Sequence, residues 1–268
     1  MVTADPVAIR ENRVGSFMLR GNQLWDGGGA SLAWSPRLTR QGLSAQGWTL
    51  DLAATNAQDR WLATVNQRFN PRWSGQALVL LDREASTRIG ANLTGLLSDA
   101  AVFHAEWSSA RSLSLLEQAI GQPASKQRRD QASAGITYSL PGGLAITAEA
   151  AYNGAGLNQT DFNRLFAQSA TTVGQFFGSQ QASQELSARR AWLLYATQKG
   201  AFTKQLDITA FVRQNAVDHS HLMWAEARYH WPRFDAALQW QGSSRRIGSE
   251  FGSLPYHQVV QLAGFLYF

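Results

Sequence analysis

The sequence predicts an all-β chain that folds into a transmembrane, antiparallel up-and-down β-barrel of about fourteen strands, with twelve to sixteen possible. Three observations predict this fold. Apolar and polar residues alternate with a period of two in runs of about ten residues from Trp48 onward. Turn residues and long polar segments separate these runs in a regular order. No stretch approaches the roughly 18 consecutive apolar residues that a spanning helix needs.

The composition agrees with this fold but does not predict it. Of the 268 residues, 44% are hydrophobic, which is an ordinary globular value. A barrel with lipid outside and water inside reaches this value because every apolar residue has a polar neighbour. The absence of cysteine excludes disulfides and thiolate metal sites. The net charge of +5 is scattered along the chain, so no nucleic-acid partner is expected. No metal and no cofactor are expected either.

The strands follow one another in runs of alternating residues. Two N-terminal strands are predicted at 14–23 and 28–37, around the turn 26–29, and without them the number falls to twelve. The clearest later runs cover 48–54, 61–68, 88–95, 101–108, 134–140, 144–150, 206–213, 223–231, 234–241 and 256–268.

The connections between strands alternate between tight turns and long loops. The turns are 70–72, 98–99, 141–143, 199–200 and 232–233, and the long loops are 112–130, 154–187 and 242–255. Counted back from Phe268, the turns all fall on one rim and the loops on the other. This parity is typical of outer-membrane barrels, which have short periplasmic turns and longer external loops.

Two parts of the chain are predicted. Residues 1–13 form a periplasmic N-terminal extension, and residues 14–268 form the barrel domain. The first twenty residues contain no apolar core flanked by positive charge, so no secretory signal is visible. We therefore expect a mature form or a fragment that lacks upstream strands or a periplasmic domain.

Alternation does not say which face points inward, and a soluble sandwich or lipocalin-like barrel would bury the apolar face. About fourteen strands would enclose a space too wide for side chains to fill. Aromatic residues near the ends of the apolar faces fit interfacial girdles: Trp48, Trp61, Trp107, Tyr138, Tyr152, Trp192, Tyr229, Trp231 and Trp240. These features favour lipid outside and water inside.

The last thirteen residues, YHQVVQLAGFLYF, resemble the C-terminal strand of bacterial outer-membrane β-barrel proteins. They end on an aromatic residue and place Val260, Leu262, Leu266 and Phe268 on one face. The resemblance implies a location in the bacterial outer membrane, recognition by the barrel-assembly machinery, and contact with outer-membrane lipid and lipopolysaccharide. The architecture is similar to that of porins, without a specific family.

Polar residues on the predicted inner faces are the candidates for lining a lumen: Arg68, Arg88, His104, Glu106, Asp207, Arg213, Glu226, Arg228 and His230. His104 and Glu106 fit either an acid/base pair or, as we prefer, two lumen-lining residues. The ladder from Glu226 to His230 fits either a transverse field that filters solutes or an internal salt-bridge network.

Other polar segments receive structural interpretations. Asp218 and His219 suggest outer-membrane hydrolases, but no nucleophile motif accompanies them, and we expect Asp218 to cap a turn. In the loop 154–187, a short helix is expected to start near Asp161, and its phenylalanines predict a packed loop, either a constriction or a binding surface. The basic segment 123–129 fits lipopolysaccharide phosphates or a solvated loop.

The leading functional hypothesis is a porin-like channel for small hydrophilic solutes, with a mild anion preference from Arg68, Arg88, Arg213 and Arg228. It requires no catalysis. The alternative is a non-conducting or exporter-associated C-terminal barrel module of a larger outer-membrane protein. An outer-membrane hydrolase is a third, weaker hypothesis.

Overall fold

The computed structural model describes residues 17–38, 56, 58–83, 86–121, 125–183, 185–244 and 246–267. Within them, thirteen strands form one antiparallel sheet in chain order. The strands are β1 Leu19–Trp25, β2 Gly28–Ser35, β3 Arg60–Asn70, β4 Trp73–Asp82, β5 Arg88–Leu96, β6 Ala101–Ser112, β7 Gln127–Ser139, β8 Leu144–Asn153, β9 Arg190–Gln198, β10 Leu206–Asn215, β11 His221–His230, β12 Phe234–Ser243 and β13 Gln258–Leu266. The helices are α1 Leu115–Ile120, α2 Gln159–Phe166 and α3 Ala170–Ser183, with a 3₁₀ turn at Phe251–Ser253.

The connections divide between two rims of the sheet. The short-turn rim carries the links 26–27, 71–72, 97–100, 140–143, 199–205 and 231–233. The long-loop rim carries 36–59, 83–87, 113–126, 154–189, 216–220 and 244–257. The three loops that the sequence marks as long therefore share one rim, as predicted. At the β7–β8 turn, Gly142 and Gly143 have φ values of 91° and 89°, which only glycine adopts without strain.

One predicted strand, 48–54, lies outside the described residues. β2 pairs directly with β3, from Gly28 opposite Gln67 to Ser35 opposite Arg60, so no strand separates them in the sheet. The described sheet has thirteen strands rather than fourteen for this reason. With an odd number, β1 and β13 run in the same direction, and no ladder joins them among the described pairs. The extension predicted at 1–13 also lies outside the described residues.

The two faces of the sheet differ as the alternation predicts. On one face, which we name the apolar face, large side chains are open to the surroundings: Val65 is 49% exposed, Leu238 54% and Leu262 81%. The opposite face, the polar face, carries threonine, asparagine and charged residues, such as Thr64 hydrogen-bonded to Ser31 at 2.7 Å. The apolar side chains do not meet in a dry centre, so the soluble β-sandwich alternative is wrong.

Aromatic side chains of the apolar face gather near both rims. Trp34 and Trp61 stack at the long-loop end of β2 and β3, with ring centroids 5.6 Å apart. Tyr229 and Trp231 are 4.4 Å apart at the short-turn end of β11. Two aromatic belts with aliphatic residues between them match the surface of a lipid-embedded barrel.

The main hydrophobic core lies in the loops rather than under the sheet. α1, α2, α3 and the chain next to them enclose Leu115, Leu116, Leu157, Phe162, Leu165, Phe176 and Ala188, with Phe166 and Phe177 packed against this group. We name this group the loop core. α2 begins after Asn158, whose side chain and that of Asp161 form a capping box. The short helix and the packed phenylalanines predicted in this loop are confirmed. No helix of the described residues is long and apolar enough to cross a membrane.

Candidate functional site

The nine residues that the sequence nominates for the lumen all lie on the polar face. Strand register carries this assignment across the sheet, since Arg68 is opposite Ser74, Ser74 opposite Thr94, and Thr94 opposite His104. Arg88 and Glu106 follow with the same parity on β5 and β6. Farther along the sheet, on β10 and β11, Asp207 is directly opposite Arg228, and both lie on the polar face. The structure divides eight of these residues into two groups, a ladder toward the short-turn rim and a set that runs from His104 in the middle of the sheet to the long-loop rim. Arg68 is exposed and takes part in no salt bridge of either group.

The first group is a charged ladder near the short-turn rim. Glu226 accepts two hydrogen bonds from Arg228, at 3.0 and 3.1 Å, and a third from the amide of Gln239 at 2.6 Å. The guanidinium of Arg228 also lies over the ring of Phe265, 4.6 Å from its centroid. A charge held by a bidentate contact and a ring is fixed in orientation, so the ladder presents an ordered field.

His230 continues the ladder between two carboxylates. Its Nε2 lies 3.3 Å from Asp207 Oδ2, and its Nδ1 lies 3.0 Å from Asp235 Oδ2. The phenol of Tyr267 donates to Asp235 at 2.8 Å. This network ties β10, β11 and β12 to the chain end just after β13. These contacts fit the interpretation of the ladder as an internal salt-bridge network. They fit the interpretation as a transverse field equally well, because the same fixed charges would produce that field.

The second group begins with His104, whose partner is Glu149 rather than Glu106. His104 Nε2 lies 3.0 Å from Glu149 Oε2, and the Glu149 side chain is 9% exposed. The two residues sit on β6 and β8, on either side of Gly135 on β7. A Cβ on Gly135 would lie 2.7 Å from His104 Cε1, so the glycine provides the space that the imidazole fills.

On the long-loop side of this pair, the polar face and the longest loop line a half-open cavity of about 450 Å³. Its wall includes Arg88, Glu106, Glu149 and Arg213, and its cover includes Glu185 and Leu186 from the loop 154–189. The wall fixes the cover directly: Gln131 donates to Glu185 at 2.9 Å, and Asn153 donates to the carbonyl of Leu186 at 2.7 Å. The long loop thus turns over the polar face and narrows the space beside it.

Glu250 links the loop 244–257 to the cover and to the end of β10. We name Glu250 and its partners Ser187, Asn215 and Arg213 the loop latch. The Glu250 carboxylate accepts hydrogen bonds from Ser187 at 2.5 Å and from Asn215 at 2.9 Å, and Arg213 lies 3.8 Å away. Burial raises the pKa of Glu250 above its usual range, and Asp218 adds to this rise. Arg213 and the two hydrogen bonds oppose the rise.

Asp218 caps the turn 216–220, as predicted. One carboxylate oxygen accepts from the amide of Ser220 at 2.8 Å and the other from the amide of Glu250 at 2.7 Å. His219 adopts a φ of 61° in this turn. Both oxygens of Asp218 therefore accept a backbone amide, which is the structural role that the sequence predicts for this residue. Among the described residues, no group of three His, Cys, Asp or Glu could hold a metal ion.

Several residues of the site are not predicted from the sequence. Glu149 and Asp235 have the polar-face parity, but nothing in the sequence pairs them with histidines on other strands. Phe211 and Trp224 also lie on the polar face, opposite each other and stacked with centroids 5.6 Å apart. The position of Phe211 between Thr209 and Arg213 on β10 assigns it to the polar face. Its apolar side chain breaks the alternation, so the sequence pattern does not single it out. Glu250 lies in a loop, where no periodicity applies.

The C-terminal strand has the predicted arrangement on its described part. Val260, Leu262 and Leu266 lie on the apolar face and are 67%, 81% and 68% exposed. Phe268 lies outside the described residues. β13 pairs with β12 along its length. Gly264 lies beside the ring of Phe234, and a Cβ on residue 264 would be only 3.0 Å from a carbon of that ring.

Comparisons with known proteins identify the fold. No protein-family model and no curated protein sequence matches the chain. Solved structures do match. OccAB1 of Acinetobacter baumannii has a TM-score of 0.53 at 10% identity and covers 92% of this chain and 66% of its own. OccK11 (OpdR) of Pseudomonas aeruginosa has a TM-score of 0.50 at 12% identity, with 94% and 70% covered.

The outer membrane protein OprD of Pseudomonas aeruginosa is a third neighbour, with a TM-score of 0.50 at 10% identity and coverage of 93% and 66%. The chain spans about two thirds of the length of these structures. The shared architecture confirms the predicted fold class, in that the thirteen antiparallel, up-and-down strands form one sheet that matches the barrels of outer-membrane porins. The resemblance stated from the C-terminal strand is thereby confirmed at the level of the fold.

Proposed function

We propose that the chain is a channel of the bacterial outer membrane for small hydrophilic solutes. One observation carries the proposal: the polar face and the loop segment at Glu185 and Leu186 line a half-open cavity of about 450 Å³, while large side chains of the apolar face stay exposed. A space that charged side chains line and a fixed loop narrows, behind a wall whose other face is apolar, is the arrangement of a size-limited pore. No covalent chemistry is needed for passage, so we propose no enzymatic activity.

The charges along the path define a weak selectivity. Two of the four arginines behind the expected anion preference have carboxylate partners, because Arg213 faces Glu250 and Arg228 binds Glu226. The cavity itself is lined by Arg88 and Arg213, against Glu106, Glu149 and Glu185. Since carboxylates outnumber guanidinium groups at the narrow part, we propose a weak cation preference in place of the anion preference.

Conductance in planar lipid bilayers tests both statements. We expect stepwise conductance from the purified, refolded chain, and a reversal potential in a KCl gradient that favours K⁺. Deleting the segment 159–183, which holds α2 and α3, should raise the conductance because the cover at 185–187 loses its support. A chain that inserts without conducting would contradict the channel, and a reversal potential that favours Cl⁻ would contradict only the proposed preference.

Partners follow from the same assignment. We propose that Val260, Leu262, Leu266 and Phe268 form the face read by the barrel-assembly machinery. We also propose that the surroundings are outer-membrane lipid, with lipopolysaccharide at the long-loop rim. Exchanging Leu262 and Leu266 for aspartate should leave the chain in the periplasm of an expressing bacterium, whereas exchanging the turn residue Asp26 should not. Normal assembly of the double variant would contradict this role of the C-terminal strand.

A further inference from the structure

The apolar face between β5 and β9 has a groove with arginines beside it. We propose that this groove is a binding site for one phosphorylated glycolipid of the outer leaflet, lipopolysaccharide, with an acyl chain in the groove and phosphates on the arginines. The inference rests on the proposed outer-membrane location, because it assigns the apolar face to lipid and the long-loop rim to the exterior.

The groove exists because alanines replace large residues on adjacent strands. Ala105, Ala134 and Ala150 lie opposite one another on β6, β7 and β8. Trp107, Tyr152 and Trp192 stand around them, each 40% exposed. Together with Ala91, Leu93 and Ala132, they line a groove of about 730 Å³. We name it the alanine groove.

Three arginines lie on the same face toward the long-loop rim. Arg190 itself lines the upper end of the alanine groove and is exposed. Arg111 and Arg128 are directly opposite each other on β6 and β7, and both are exposed. We name these three residues the arginine cluster. Within the described residues, none of the three has a salt bridge, and Arg128 Nε donates a hydrogen bond to Ser109 Oγ at 2.8 Å.

The placement of the cluster selects the ligand. Like charges that face each other across a strand pair repel, so Arg111 and Arg128 are favourable together only when an anion lies between or above them. Arg128 follows the parity of Ala132, four residues along β7, which places the two Cα atoms about 13 Å apart. Arg111 and Arg128 therefore lie beyond the aromatic residues of the groove, toward the depth of lipid headgroups, whereas Arg190 lies opposite Tyr152, at the edge of the groove itself.

A single phosphate cannot satisfy all three arginines, because Arg190 is two strands away from Arg128. A headgroup with more than one phosphate can reach both, and guanidinium groups bind phosphate bidentately. Asp130 lies on the same face between the arginines and the groove, and it is exposed without a salt bridge among the described residues. Three cations against one carboxylate leave the region net positive.

Native mass spectrometry of the detergent-solubilised chain with added lipid A measures this binding. The charge variant is R128Q/R190Q, and its control is R72Q/R233Q, which changes two exposed arginines at the short-turn rim. The groove variant is Ala134→Leu, which fills the groove, and its control is Ala63→Leu on the apolar face of β3. Dephosphorylated lipid A and inorganic phosphate are the further probes.

We expect R128Q/R190Q to raise the Kd for lipid A about tenfold or more, from the loss of two arginines near the headgroup. Ala134→Leu should raise it several-fold, and both controls should bind like the parent chain. Equal binding by R128Q/R190Q, or by dephosphorylated lipid A, would overturn the site. Competition by inorganic phosphate as effective as that by lipid A would identify a free anion site and also overturn it.

Conductance of the same preparations separates this inference from the proposed function. A conducting chain whose lipid A binding ignores the variants contradicts only the lipid site. A chain that binds lipid A through the arginine cluster but never conducts contradicts only the channel.

Discussion

His104 reaches Glu149 across an intervening strand because residue 135 between them is a glycine. The imidazole Nε2 lies 3.0 Å from the carboxylate, and a Cβ at residue 135 would lie 2.7 Å from the ring and 2.7 Å from the carbonyl oxygen of Ala148. The pair thus depends on a residue that contributes no side chain. Because the backbone carbonyl cannot move as a side chain can, the space at Gly135 is fixed.

Gly135→Ala should therefore displace His104 and destabilise the folded chain by about 1–3 kcal/mol, the usual cost of overpacking. The measurement is the temperature at which the fast-migrating folded band disappears on a gel. Gly21→Ala is the matched control, since a Cβ at this strand glycine meets no atom within 4 Å. Equal midpoints for the two variants would show that the space at Gly135 is not needed.

Glu226→Gln should release Arg228 from its ion pair while keeping the side-chain shape. The loss of one negative charge on the polar face should move the reversal potential in a salt gradient toward anions. Asp26→Asn, in the exposed β1–β2 turn, removes the same charge away from the ladder and should not change the potential. A shift of equal size in both variants would mean that the ladder does not face the permeation path.

The loop latch should weaken as the pH rises. Burial raises the pKa of Glu250 in the folded chain above the unfolded value of about 4.3, so the folded state binds this proton more tightly. The stabilisation from the protonated Glu250 side chain is fully present below the pKa of the unfolded chain. It is lost as the pH rises through the higher pKa of the folded chain. A spin label at Ile247, which is 94% exposed in the same loop, should gain mobility over that range.

Glu250→Gln should abolish this pH dependence of the label. Glu117 provides a contrast of opposite sign, because hydrogen bonds from Ser114 at the start of α1 lower its pKa. The stabilisation from the ionised Glu117 side chain is present above the pKa of the unfolded chain and is lost as the pH falls through the lower pKa of the folded chain. A label whose mobility follows pH equally in the parent and in Glu250→Gln would contradict the latch.

Phe162→Ala should loosen the loop core without unfolding the sheet. Phe162 is fully buried, and truncating a buried phenylalanine costs about 3–5 kcal/mol. We expect faster proteolysis within 154–189 and a noisier open conductance, with an unchanged folded band on gels. Phe202→Ala is the control, since Phe202 is 94% exposed in the β9–β10 turn. Loss of the folded band would show that the loop core and the sheet are one cooperative unit.

Strand alternation predicts the sheet well because side-chain direction has a strict period of two. It places Arg88, Glu106 and Arg228 on the correct face without any coordinates. It does not predict contacts between strands far apart in sequence, such as that between His104 and Glu149, because register is set by the whole sheet. The cover at Glu185 and the latch at Glu250 are beyond its reach, since loop structure depends on contacts that have no repeat.

The orientation of the two faces is the central claim, and spin labels on successive residues of β3 test it most directly. The chain has no cysteine, so single cysteines at 63, 64, 65 and 66 can each be labelled cleanly in liposomes. Labels at 63 and 65 should be relaxed mainly by oxygen, which concentrates in hydrocarbon, and those at 64 and 66 mainly by a water-soluble nickel complex. Equal relaxation along the four positions, or the reverse alternation, would contradict a wall with lipid on one side and water on the other.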